Sequence, residues 1–130
     1  MVVDSLELER GLTVADFDTP SLLQAIDDID KGNYSSAVEI LTPLAEAGNP
    51  KAQCNLASMF QCGLGVKTDG EKAVKLYLRV ARQNIRKEML SAIAYHNLAT
   101  IYTTGLPYIE RDSGKAVEFE ARAKELGFEA

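Results

Sequence analysis

The side chains best equipped for chemistry in this 130-residue sequence are its one histidine, His96, and its two cysteines, Cys54 and Cys62. An imidazole titrates near neutral pH and often serves as a general acid or base. Beside His96, however, stands Asn97, with no nucleophile, no spaced carboxylate pair and no group to orient the ring. His96 therefore reads as a groove-lining histidine that would make binding mildly pH-sensitive. A single histidine cannot build a multi-histidine metal site. The cysteines stand eight residues apart and form no Cys-x-x-Cys pair, so no redox or zinc motif is present. On one helix they would lie about 12 Å apart along the axis, beyond disulfide reach. Two unpaired thiols fit a reducing compartment. No catalytic residue, metal or cofactor is assigned, and the chain reads as a non-enzyme.

Charge narrows the partners. The net charge is −5. Its acids crowd the beginning, where Asp4, Glu7, Glu9, Asp16, Asp18, Asp27, Asp28 and Asp30 face Arg10 alone. An acidic head argues against general nucleic-acid binding, which needs a basic field, and permits attraction to a basic protein. Against this trend, Lys72, Lys75, Arg79, Arg82 and Arg86 recur at helical spacing and form a secondary basic face. That face reads either as a solvated outer surface or as a surface for an acidic partner. No aromatics interleave there to stack bases. Apolar residues make up 46% and charged residues 25%, the ordinary globular balance. No apolar run approaches the roughly 20 residues of a membrane span. Residues 1–10 lack the basic and apolar regions of a signal peptide. A cytoplasmic protein with no membrane partner is expected.

The elements that would position these residues emerge from an internal repeat. Ala52-x-x-x-Leu56-Ala57-x-x-Phe60-x-x-Gly63 matches Ala94-x-x-x-Leu98-Ala99-x-x-Tyr102-x-x-Gly105 at a constant offset of 42. A degenerate earlier copy reads Ser21, Ala25, Ile26, Ile29, Gly32. Apolar or small residues at this spacing make one helix face, and the alanines admit a close neighbour. The final glycine can end its helix in a left-handed conformation. Asp69 and Ser113 are N-cap candidates for the helices that follow. The pattern predicts six helices in three hairpins, at about 20–31 and 34–47, 50–62 and 69–83, and 88–104 and 113–126. Pro43 is predicted to kink the second helix or end it early. No strand pattern recurs, so the fold class is all-α. Residues 1–19 fall outside the repeat and read either as a partly ordered arm packed on the first hairpin or as a binding arm.

These residues carry a resemblance. Ala52 through Gly63, then Leu64-Gly65-Val66, Asp69 and Lys72-Ala73 look like the Sel-one-like repeat, a branch of the tetratricopeptide superfamily. Leu44 through Gln53 resembles the junction between such repeats. The later copy keeps Ala94, Leu98, Ala99, Tyr102, Gly105, Asp112, Lys115 and Ala116, and departs at Pro107-Tyr108, where Gly-Val is expected. The 42-residue spacing is longer than the family's usual period. The excess falls over residues 84–90, either as a lengthened helix or as a partner-specific protrusion.

The resemblance implies an α-α superhelix over residues 20–130 that binds a protein or peptide along a concave groove. The first helix of each hairpin would line it with Leu23, Asp27 and Asp30, then Lys51, Cys54, Asn55, Ser58 and Gln61, then Ile93, His96, Asn97, Thr100 and Thr103. In some relatives an Asn at the Asn55 and Asn97 position contacts peptide backbone. Family members serve as adaptors, signalling scaffolds and pathogen factors, commonly in bacteria, and a bacterial immunity role for a short member follows by analogy. Two alternatives stand beside this reading. One is self-association into a homodimer through the C-terminal edge. The remote one is an enzyme akin to β-lactam-binding relatives, for which no Ser-x-x-Lys motif is present.

Overall fold

A computed structural model describes residues 17–85 and 87–129. Most of the arm read over residues 1–19, and Arg86 of the basic row, lie outside them. Among the described residues six helices follow one another: α1 Pro20–Asp30, α2 Tyr34–Glu46, α3 Pro50–Cys62, α4 Gly70–Arg82, α5 Leu90–Thr104 and α6 Ser113–Glu125. A short 3-10 turn, Lys87–Met89, precedes α5. Among the described residues the one β-type contact is an isolated bridge, Leu106 to Ile109. The class is all-α.

Side chains before each helix dictate where it starts. Thr19 and Asn49 accept from Leu22 N–H and Ala52 N–H, each at 3.1 Å, ahead of Pro20 and Pro50. Asp69 accepts from Lys72 N–H at 3.1 Å and Asp112 from Lys115 N–H at 3.0 Å. Such caps satisfy amides that have no helical partner, at about 1 kcal/mol each. The last cap is thus Asp112 rather than Ser113. The two aspartates hold nearly the same backbone, φ −144 and −150, so the repeat extends to its caps. Gly63 closes α3 in the left-handed region, φ 71.

Pro43 does not end α2, which runs on to Glu46. The carbonyl that its missing N–H would have met belongs to Glu39. Both residues are exposed, so water can replace the lost donor. The excess over residues 84–90 lengthens α5 only slightly and otherwise forms the 3-10 turn. Ser91 pins this turn down. Its buried hydroxyl accepts from Ile85 N–H at 2.6 Å and donates to Val80 O at 2.8 Å.

Each helix packs on its neighbours in the chain, and α3 also meets α5. Buried alanines at the crossings, among them Ala37, Ala57, Ala73, Ala94 and Ala99, let the helices approach. Leu22, Leu41, Met59, Tyr77, Leu98 and Ile101 fill the space between them. Turns lean on the preceding hairpin. A Cβ on Gly65 would stand 2.6 Å from the Tyr34 carbonyl carbon, and one on Gly70 would stand 2.7 Å from Ile109. This nearest-neighbour stacking is the packing of a helical solenoid.

Candidate functional site

The sequence-derived stripe divides into three parts. On α1, Leu23 is 53% exposed, Asp30 is exposed, and Asp27 pairs with Lys31 at 2.9 Å. The Asp27 hydrogen bond and charge raise the Lys31 pKa above its ordinary value.

The middle part is more tightly built. Lys51 Nζ is shared between Asp18 at 2.6 Å and Glu88 at 2.8 Å. Burial pulls the Lys51 ammonium down, but the hydrogen bonds to both carboxylates outweigh it and its pKa is raised. Asn55 donates to the Lys51 carbonyl at 2.9 Å, within its own helix. Ser58 and Gln61 of α3 meet Asn97 of α5 around one phenol: the Tyr77 hydroxyl donates to Gln61 Oε1 at 2.9 Å, with Ser58 and Asn97 beside it. The Tyr77 ring is fully buried, while Ser58, Gln61 and Asn97 remain partly open. Burial pushes the Tyr77 phenol up to about 12 and the neighbouring Cys54 thiol up to about 12. Cys54 is therefore a packing residue, whereas Cys62 is exposed. Ile93 is partly buried.

The third part turns to another side. His96 Nδ1 lies 2.9 Å from Glu120 Oε1, and the imidazole stacks on Phe128 at 4.3 Å between centroids. His96 and Glu120, with Thr100, Thr103 and Val117, line a cleft of about 340 Å³ between α5 and α6. Gly127, at φ 97, turns the chain so that Phe128 N–H reaches Ala123 O at 3.0 Å. The C-terminal edge is thus not one apolar sheet of side chains. Val117 is 70% exposed and Ala123 buried, while Phe119 stacks with Tyr95 and Tyr102.

The basic residues Lys72, Lys75, Arg79 and Arg82 are exposed on α4. Lys72 Nζ lies 5.2 Å above the Phe60 ring, and Lys115 Nζ lies 5.0 Å above Tyr102, the same pair one repeat later. Aromatics flank this face from other helices, Phe60 from α3, Tyr95 and Tyr102 from α5 and Phe119 from α6. Sequence reasoning missed Tyr77 too. Its signal was there, an aromatic among small apolar positions on the buried side of a basic helix.

The Sel1 repeat model matches residues 50–85 and 92–128, which hold α3–α4 and α5–α6 and amount to more than half of the chain. The chain belongs to the Sel1 repeat family. The first hairpin lies outside the match. A crystal structure of a Sel1 repeat protein from Oxalobacter formigenes superposes with a TM-score of 0.66 at 29% identity, covering 80% of this chain and 40% of that one. The chain therefore spans less than half the length of that relative. Comparison with curated proteins gives no match. Sel1 repeat proteins are generally scaffolds for protein interaction and are typically not enzymes. Among the described residues no helix is long and apolar enough to cross a membrane, and no three His, Cys, Asp or Glu side chains are grouped to hold a metal.

Proposed function

We propose that this Sel1 repeat chain is an adaptor or inhibitor that holds an extended segment of a partner protein along α1, α3 and α5. The observation that carries the reading is the meeting of Ser58, Gln61 and Asn97 over the Tyr77 hydroxyl. A carboxamide offers donors and an acceptor, as a peptide backbone requires. Here one carboxamide, Gln61, is anchored by a buried phenol, with Ser58 of the same helix and Asn97 of the facing helix beside it. Such anchoring removes side-chain freedom before the partner arrives, which lowers the cost of ordering on binding. Asp27 and Asp30 at the α1 end add attraction for a basic stretch of the same partner.

The test is affinity capture with wild type beside Asp27→Lys/Asp30→Lys and Asn97→Ala variants, with circular dichroism to check the fold. A partner held by wild type and lost by both folded variants is the expected result. A partner held equally by all three moves the site off this stripe. Capture of further copies of the chain alone would favour self-association through the edge where Val117 is exposed, read directly from the mass in solution.

A further inference from the structure

The stripe on α1, α3 and α5 leaves unused the cleft between α4 and α6. This cleft holds about 400 Å³, with Tyr95, Tyr102 and Phe119 among its apolar lining and Arg82, Lys115 and Arg122 among its charged side chains. We propose that it is a second docking site, for an acidic segment of a partner protein that carries alternate apolar side chains.

Charge is the first argument. Three cations border the cleft against one carboxylate, Glu118, in a chain whose net charge is −5. Glu118 reaches Arg122 only loosely, at 4.0 Å. Among the described residues no carboxylate pairs with Arg82 or Lys115. A concentration of positive charge on an acidic molecule attracts acidic partners and orients them.

Preorganisation is the second argument. The Phe119 ring stacks with Tyr95 at 6.0 Å and with Tyr102 at 5.9 Å, which makes a firm apolar floor. The Arg122 guanidinium lies 5.9 Å from the Tyr95 ring and the Lys115 ammonium 5.0 Å from Tyr102. Cations held over rings lose less rotamer freedom when they pair with carboxylates. The site also continues along α4. An adjoining cleft of about 480 Å³ shares Leu78 and Arg82 and adds Lys75 and Arg79. That length suits an extended chain, whose side chains alternate between charged rim and apolar floor.

The same rings argue against a nucleic acid. Each tyrosine already has a cation near its ring and the Phe119 ring stacked with it. Base stacking needs an open aromatic face.

The experiment is fluorescence anisotropy at low salt with a short labelled peptide of alternating Glu and Leu. Saturable binding by wild type is expected, with the affinity of an Arg82→Glu/Arg122→Glu variant at least about ten-fold weaker. Both arginines are exposed, so the variant should keep its circular dichroism spectrum. Arg82→Glu alone, which touches no ring pair, serves if the double variant does not fold. Asn97→Ala should bind this peptide as wild type does, whatever becomes of the stripe on α1, α3 and α5. The proposal is overturned if wild type does not bind, if the charge-reversed proteins bind equally, if a Lys and Leu peptide binds as tightly, or if a single-stranded oligonucleotide displaces the acidic peptide.

Discussion

In hairpin α3–α4, Cys54 and Tyr77 belong to the apolar packing where α5 crosses; 42 and 43 residues later, hairpin α5–α6 places His96 and Glu120. The rest of the two hairpins is close to a copy. Asp69 and Asp112 cap, Lys72 and Lys115 sit over Phe60 and Tyr102, and Ala73 and Ala116 are buried. What differs is cover. No helix among the described residues crosses α5–α6 as α5 crosses α3–α4. The paired His96 and Glu120 beneath Phe128 finish that edge with groups that tolerate water. A repeat position thus takes its polarity from what lies over it, not from its place in the hairpin.

The largest effect should separate the two equivalent positions. Tyr77→Ala opens a cavity in the core and should cost about 4 kcal/mol, whereas Glu120→Ala should cost at most about 1 kcal/mol. Urea denaturation of both variants measures this. Equal losses would mean that the last hairpin is as well covered as the middle one.

The turns come next. Gly65 has φ 72, and a Cβ there would meet the Tyr34 backbone. Gly65→Ala should lose about 3 kcal/mol from overlap and left-handed strain. In the longer turn the left-handed conformation falls one place later than the aligned Pro107, on Tyr108, at φ 64 and 94% exposed. Tyr108→Gly should therefore gain about 1 kcal/mol in thermal unfolding. If it gains nothing, the tyrosine has packing partners that its exposure hides.

Alkali should weaken the middle hairpin. Burial raises Cys54 from 9.0 and Tyr77 from 10.0, each to about 12. Between those values the unfolded chain releases these protons and the folded chain keeps them. The folded state then binds more protons, so stability falls as pH rises. The fall begins near pH 9 and amounts to about 1 kcal/mol per pH unit for each group. Cys54→Ala should remove the fall below about pH 10 and about half of it above, as followed by denaturant midpoints across the range.

The smallest effects should be equal. Lys72→Met and Lys115→Met each remove a cation from a ring and should each cost about 0.5 kcal/mol. A clear inequality in melting temperature would show that the shared pair does different work in the two hairpins.

Much of the architecture was legible because the repeat writes it twice. The Ala, Leu-Ala, aromatic and Gly spacing named the family and the helices, since period and terminator lie along a single helix. Ser113 was mistaken for a cap because serine and aspartate both cap, and only backbone geometry separates neighbours. Pro43 was expected to kink α2 or end it early, but α2 runs on, since the cost depends on whether water reaches the orphaned carbonyl. The candidate sites were less legible. The cluster of Tyr77 with Ser58, Gln61 and Asn97 draws on three helices in all, and that of Phe119 with Tyr95 and Tyr102 on two, so no local spacing announces either cluster.

Lys51 has a mechanical consequence. Its ammonium holds Asp18, ahead of the first helix, and Glu88, in the turn before the fifth, at 2.6 and 2.8 Å. In a stack that otherwise touches only its neighbours, this is a guy-rope strung across the middle hairpin. It ties the chain ahead of the first hairpin to the turn that opens the third, through the middle one. Lys51→Met would release both carboxylates at once, a loss of about 1 kcal/mol or less for each partly exposed pair, while every hairpin keeps its own packing.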